Sequence, residues 1–369
     1  MQVNYAYLHQ QFADVDGYFE DLRELVASGE FTLGPYVEKF ERKFGEYIGI
    51  KHVISVNNGT DALILCLKSL GVDQGDEVIT VPNTFYATVG AIVAVGARPV
   101  FVDVDDRMQI DPDLIEAAIT KKTKVIIPVH WAGGSPDMDR VIAVADQHGI
   151  PVVEDACPAT GATINGKFAG TLGKINAFSM HPLKPLNVWG DGGMVVTDDD
   201  EINDWLRMYR NHGMVDRDHI KFWGVNARLQ PFQAVVGSRL LDEMEANITM
   251  RNHNAQLLDE GLAGMEEHVV VPRRINGHRE AYQLYQVYVK RRTQLMEYLA
   301  EQGIDTKIHY PVPLHLQEAA RDLGYRRGDF PEAERQADMI LTIPAHQFIT
   351  TEQIEYVIKH MRKFYRGDI

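Results

Sequence analysis

The chemistry of this chain is concentrated in a few short segments. Lys184 lies in Ser179-Met180-His181-Pro182-Leu183-Lys184, with Gly190-Asp191-Gly192-Gly193 close behind. Most lysines are solvated surface residues, and in isolation this one reads the same way. Just after a strand, in a tight Pro- and Gly-rich setting, its amine can be desolvated and held near other positive charge. Both effects lower its pKa and expose a nucleophile suited to Schiff-base chemistry. Asn57-Asn58-Gly59-Thr60 falls between a strand and a helix. Glycine lets backbone N–H groups approach a ligand, and a helix N-terminus adds unpaired donors and the positive dipole end. The plainer reading is a turn with an N-cap, and the loop is neither a Walker loop nor a G-x-G-x-x-G fingerprint. Glu154-Asp155 closes the apolar strand Pro151–Val153. In open α/β sheets the carboxyl ends of strands face the ligand crevice. A carboxylate there suits a cationic ring nitrogen, held protonated by a charge-assisted hydrogen bond; a capping or solvated acid is the alternative. With the aromatic ring of Phe85, these pieces match the needs of one cofactor, pyridoxal 5′-phosphate (PLP). It has a phosphate to cradle, a flat ring to stack on, a pyridine nitrogen to protonate and an aldehyde to hold.

The elements that must position these groups alternate from about residue 50 to 200. Strand candidates are His52–Val56, Glu77–Val81, Arg98–Asp103, Lys124–Val129, Pro151–Asp155, Ala177–Ser179 and Gly193–Thr197. Several are almost wholly apolar, as strands covered on both faces are. Helices are predicted at Asp61–Leu70, Ala87–Val95, Asp111–Ile119 and Asp137–His148, the third opening on an Asp-Pro N-cap pair. This alternation predicts an α/β domain with a mostly parallel sheet flanked by helices. Upstream, Val37, Phe40, Phe44 and Tyr47 recur at helical spacing and read as packing. Beyond Leu240 the alternation stops. Helices at Met244–Leu262, Gln294–Gln302 and Thr351–Tyr365, with a strand at Gln283–Lys290, predict a smaller α+β domain. The expected domains are residues 1–240 and 241–369.

Composition excludes other classes. The chain has 369 residues, 45% hydrophobic and 24% charged, with 37 Lys plus Arg against 52 Asp plus Glu for a net charge of −15. That balance argues against binding nucleic acid or an anionic membrane surface. Two cysteines, Cys66 and Cys157, make no disulfide framework and fit a reducing cytoplasm. The N-terminus lacks a signal-peptide pattern. The longest uncharged stretch, Val81–Ala97, is shorter than the roughly 20 apolar residues of a membrane span. His309 and His315 have no accompanying ligand set, so no metal site is expected.

A run of segments extending over nearly the whole chain resembles the DegT/DnrJ/EryC1/StrS sugar aminotransferases, of the aspartate-aminotransferase-like fold. They are GEFTLGPYVEKFE (Gly29–Glu41), NNGTDAL (Asn57–Leu63), GDEVITVPNTFYAT (Gly75–Thr88), GARPVFVDVD (Gly96–Asp105) and VEDACPATGA (Val153–Ala162). FSMHPLKPLNVWGDGG (Phe178–Gly193), RNHG (Arg210–Gly213), GVNARLQPFQA (Gly224–Ala234) and IHYPVPLH (Ile308–His315) complete the set. The resemblance implies PLP-dependent transferase fold type I, with a seven-stranded, mostly parallel sheet in the large domain. It further implies that Lys184 holds the cofactor covalently and then moves protons, and that Asp155 pairs with the ring nitrogen. Phe85 stacks on the ring, while Gly59, Thr60 and Ser179 bind the phosphate. Asn226 reaches the phosphate from the neighbouring subunit of a homodimer, and Arg228, His309 and Tyr310 contact a nucleotide-sugar. Two positions depart from the pattern. Pro158 stands where relatives usually carry Gln or His toward the ring hydroxyl, and Gln230 replaces an Asp in an RLD-type segment.

The implied reaction moves an amino group from L-glutamate to a nucleotide-linked ketosugar. Gly190-Asp191-Gly192-Gly193 resembles relatives acting at C3, whereas C4 relatives more often read Gly-Glu-Gly-Gly. Amination at C4, or of a cyclitol, is the nearest alternative. A 3-dehydratase of the same fold is disfavoured, because such relatives carry His at the position of Lys184. A non-catalytic regulatory protein is the different-class alternative. An NAD-dependent dehydrogenase lacks its glycine fingerprint here.

Overall fold

A computed structural model describes residues 1–367. The last two residues of the second expected domain, 368 and 369, lie outside the described residues. The alternating region forms β1 (His52–Val56), β2 (Glu77–Thr80), β3 (Arg98–Phe101), β4 (Thr123–Ile126), β5 (Val153–Asp155), β6 (Ile175–Ser179) and β7 (Gly193–Thr197). Hydrogen bonding groups them as a four-stranded sheet, β1-β7-β6-β5, and a three-stranded sheet, β3-β2-β4. Parallel bridges Ile126↔Val152 and Val129↔Asp155 join the two at the β4–β5 seam. Only β7 runs against its neighbours: it is antiparallel to both β1 and β6, while β5–β6, β2–β3 and β2–β4 are parallel. Strands β6 and β7 are buried at every residue, as an apolar run covered on both faces requires.

The principal helices are α1 (Asp16–Ser28), α2 (Pro35–Ile48), α3 (Gly59–Ser69), α4 (Tyr86–Ala94), α5 (Met138–Gln147), α6 (Asp200–Tyr209), α7 (Pro231–Leu241), α8 (Met244–Leu262), α9 (Arg292–Glu301), α10 (Pro331–Met339) and α11 (Thr351–Arg366). Helix α2 buries Val37, Phe40, Phe44 and Ile48 but leaves Tyr47 half-buried. Its stripe meets α7 so closely that a Cβ on Gly237 would stand 2.3 Å from the Phe40 ring. The helix expected over Asp111–Ile119 is broken. Asp111 caps a 3₁₀ turn at Pro112–Leu114, and only Ile115–Ala118 is α-helical. Proline at the first position favours the start, but the run is too short to propagate beyond one turn.

In the C-terminal part, Val269–Val270, Tyr285–Val289 and Ile340–Ile343 form an antiparallel sheet, β8-β9-β10, covered by α8, α9 and α11. The first turns of α8 (Met244, Ile248) pack into the core around Phe44 and Phe178, and its later turns (Ala255, Leu258, Leu262) into the core of the small sheet. Val3 joins the second core, so the N-terminal strap is anchored there. No helix among the described residues is long and apolar enough to cross a membrane.

Candidate active site

The ends of β5 and β6, the N-termini of α3 and α4, the loop after β6 and segments from the C-terminal region enclose a cavity of about 250 Å³. Its walls include Gly59, Thr60, Phe85, Asp155, Ser179, Lys184, His309 and Tyr310. Eight of the ten residues named from the sequence are thus brought together.

Strand alternation separates the two acids at the end of β5, because successive side chains point to opposite faces. Glu154 faces away from the cavity and is fully buried. It pairs with His130 Nε2 at 2.7 Å and accepts the N–H groups of Gly170, Leu172 and Gly173. Burial pushes its pKa up, but His130 and these donors outweigh it and hold the carboxyl below its usual range. Asp155 lines the cavity. Its Oδ2 accepts from Thr88 Oγ1 at 2.7 Å and its Oδ1 from the Cys157 N–H at 3.2 Å, which fixes the carboxylate plane.

Lys184 follows β6 in a turn closed by its own N–H donating to His181 O at 2.8 Å. Its Nζ donates to Gln283 Oε1 at 3.3 Å. Burial lowers the pKa of the amine, opposed by nearby Cys157 and Asp155. A nucleophile that must shed a proton needs that direction of shift.

At the start of α3, Asn58 Oδ1 caps the Asp61 N–H at 2.8 Å. The Gly59 and Thr60 N–H groups keep no partner among the described residues. A Cβ on Gly59 would stand 2.7 Å from Ser179 Cβ, so this position must be glycine for the helix end to approach β6. Two free donors, a dipole end and the adjacent Ser179 hydroxyl make an anion cradle.

Phe85 sits at the mouth, 40% exposed, with its ring centroid 3.9 Å from that of Tyr86 and 6.0 Å from that of Tyr310. His309 Nδ1 bonds Thr342 Oγ1 at 2.9 Å. Burial, with the nearby Lys307 and Lys184 charges, lowers the His309 pKa to about 4, so the ring is neutral. Burial likewise pushes the Tyr310 hydroxyl up to about 12.

Asn226 and Arg228 are not in this wall. They lie on a segment beside β1, where Arg228 Nε donates to Asn226 Oδ1 at 3.0 Å and Arg228 Nη1 to Asn211 Oδ1 at 2.9 Å. His315 is buried against Glu334 at 3.0 Å and stands outside the cavity, a structural histidine. Pro158 does line the cavity and offers it no donor. Gln230 serves the start of α7: its N–H donates to Gln233 Oε1 and its side chain to Arg228 O.

Sequence reasoning did not name Tyr5, Thr88, Cys157 or Gln283 as site residues, although all four line the cavity. A local signal existed for Thr88, whose hydroxyl lies 2.9 Å from that of Thr84, one helical turn away in sequence. Tyr5 and Gln283 arrive only through hydrogen bonds and packing with distant parts of the chain.

The residues fit PLP. A paired donor cradle, an oriented carboxylate and a depressed amine stand around one space, and these are the groups its phosphate, ring nitrogen and aldehyde require. The pattern that defines the DegT/DnrJ/EryC1/StrS aminotransferase family matches residues 14–362. The chain is similar to a "Pleiotropic regulatory protein" of Geobacillus stearothermophilus, with 41% identity over 94% of this chain and 93% of that one. It is similar to a dTDP-3-amino-3,4,6-trideoxy-alpha-D-glucose transaminase of Micromonospora megalomicea subsp. nigra, with 37% identity over 98% of each chain. The crystal structure of S. venezuelae DesV in complex with a ketimine intermediate superposes with a TM-score of 0.95 at 36% identity, covering 98% of each chain. The chain belongs to the DegT/DnrJ/EryC1/StrS family and is a PLP-dependent aminotransferase.

Proposed function

We propose that the protein transfers the amino group of L-glutamate to C3 of a nucleotide-linked 3-ketosugar, in aminosugar biosynthesis. The observation that carries this reading is the convergence of Lys184, Asp155 and the Gly59–Thr60 donors on one cavity. The likeness to a transaminase named for a 3-amino sugar supports the position on the sugar.

When bound, PLP supplies a carbonyl that exchanges oxygen for an amino group and a protonated ring that withdraws electrons. The chain's residues do the rest. Gly59, Thr60 and Ser179 hold the phosphate, Asp155 keeps the ring nitrogen protonated, and Phe85 covers one face of the ring. Lys184 anchors the cofactor and moves the proton at the substrate carbon, which its lowered pKa suits. His309 and Tyr310 contact the nucleotide-sugar at the mouth. Asn226 and Arg228, outside their own cavity, act in the site of a second copy, so the working unit is a homodimer.

Glutamate-dependent amination of a panel of 3- and 4-keto nucleotide-sugars and ketocyclitols tests this. Turnover of 3-keto substrates alone is expected; turnover of only 4-keto sugars or cyclitols would move the assignment to C4 or to cyclitols. The likeness to a regulatory protein favours one second reading, a regulator that has kept the fold. It predicts bound PLP with no turnover of any ketosugar.

A further inference from the structure

Gln283 is separated from Lys184 by 99 residues and reaches it across the cleft. The backbone that delivers it is unusual on both sides. Tyr282 has φ 44° and Ala132, which faces this segment, has φ 60°, left-handed values that non-glycine residues rarely take. The two kinks are bound back to back: Ala281 N–H donates to Gly133 O at 2.8 Å and Leu284 N–H to Ala132 O at 3.1 Å. Gly133 permits the approach, since a Cβ there would stand 2.8 Å from Tyr282 N and 2.9 Å from Gln283 N. From behind, Arg251, 2% exposed, donates to Tyr282 O at 2.7 Å and to the Tyr7 hydroxyl at 2.8 Å. No carboxylate pairs with Arg251 among the described residues, so a buried charge is directed at a neutral carbonyl next to Gln283. Strain of this kind persists where the surroundings over-determine it, and it gathers at functional sites. Its product here is one side chain in the cavity, with its amide oxygen on the Lys184 amine.

We propose that Gln283 is a positioning residue that holds the Lys184 amine whenever that amine is not joined to the cofactor. Resting on the assignment of Lys184 above, the chemistry explains why the acceptor is an amide. A free amine beside Asp155 would otherwise form an ion pair with it, taking away both the proton carrier and the partner of the ring nitrogen. A neutral oxygen orients the amine with less stabilisation of the ammonium than a carboxylate would give. The titratable groups facing the amine are Asp155 and Cys157 from the end of β5, His181 and Asp191 on its own loop, and Tyr5, His309 and Tyr310 across the cavity. None of them is substituted in the variants below.

The test is the pH dependence of covalent PLP capture by the full-length apoprotein, followed by the cofactor's absorption, for wild type, Gln283→Glu and Gln283→Leu. Capture needs the neutral amine. The isosteric Gln283→Glu places a charge on it and is expected to raise the midpoint by about one unit or more. Gln283→Leu removes the acceptor, lowering the midpoint by about one unit and slowing capture at high pH, where the amine is neutral in every variant. Unmoved midpoints, or shifts in the same direction with a common loss of melting temperature, would overturn the proposal. Wild type that borohydride fails to trap on Lys184 would overturn the assignment of Lys184 itself; trapping with unmoved variants overturns only the role of Gln283.

Discussion

Gly59→Ala adds one methyl group where the phosphate cradle meets the sheet. Helix propensity favours alanine over glycine by about 1 kcal/mol, so on an open helix the change would stabilise. Here the new carbon would lie 2.7 Å from Ser179 Cβ, 3.1 Å from Ser179 Oγ and 3.2 Å from Cys157 Sγ. Comfortable carbon–carbon contact begins near 3.5 Å, so the first turn of α3 must retreat by roughly 1 Å. Overpacking of this kind costs about 1–3 kcal/mol, which equals or exceeds the propensity gain. The retreat also draws the Gly59 and Thr60 N–H groups away from Ser179. Losing one hydrogen bond to a charged group is worth about 1.5–3 kcal/mol, or roughly ten- to a hundredfold in affinity. The assay compares PLP with pyridoxal, which lacks the phosphate, by equilibrium dialysis, alongside the melting temperature of the apoprotein. A lower melting temperature, weaker PLP binding and unchanged pyridoxal binding are expected. Equal losses for both ligands would show that the damage lies outside the cradle, and wild-type behaviour throughout would refute the steric reasoning.

Lys184→Ala is expected to abolish transamination and borohydride trapping while leaving the fold intact by circular dichroism; retained turnover rejects its role. Pro158→Gln supplies a side-chain donor that proline does not offer and should tighten PLP binding by about tenfold, the worth of one hydrogen bond; unchanged affinity in the same dialysis means another group already meets the ring hydroxyl. His346, buried with Nε2 donating to Asn4 O, has its pKa lowered by burial from 6.5 to about 4. The unfolded chain therefore takes up a proton before the folded one does, and stability present above pH 6.5 is lost as pH falls toward 4, by about 3 kcal/mol at most. Urea unfolding at pH 7, 5.5 and 4 should show a shallower acid loss in His346→Gln; parallel curves would remove His346 as the cause.

The sequence carries the elements that depend on local pattern. Apolar runs such as Gly193–Thr197 and the helix Met244–Leu262 are found at the residues expected, because burial on both faces and regular periodicity both write themselves into composition. Lys184 and Asp155 were visible because strand ends in such sheets face a crevice. The broken helix at Asp111–Ile119 was not, since its start signal is strong and nothing local marks its early end. Alternation alone separates Glu154 from Asp155, but which of the two faces the cavity depends on His130 and on the loop at Gly170–Gly173. The kink at Tyr282 that delivers Gln283 is written in no short segment: it needs Gly133 and Arg251 as partners from distant parts of the chain.

The electrostatics of the cavity bear on why the proposed unit is a pair. No arginine lines it among the described residues, His309 is held neutral, and the Lys184 amine has its pKa depressed, while Asp155 and Asp191 face inward. The diphosphate of a nucleotide-sugar would find little fixed positive charge there, and the chain as a whole carries −15. Arg228 supplies what is missing in kind. Its guanidinium bonds only to the amide oxygens of Asn226 and Asn211, with no carboxylate neutralising it among the described residues. Because Asn226 spends its oxygen on Arg228, its amide nitrogen is left as a donor. The half-buried guanidinium of Arg228 and the amide N–H of exposed Asn226, side by side, form an anion-binding pair, and within their own chain they do not line the cavity described above. Docked against a second copy, they would bring to the mouth of its site the positive charge that its own walls lack.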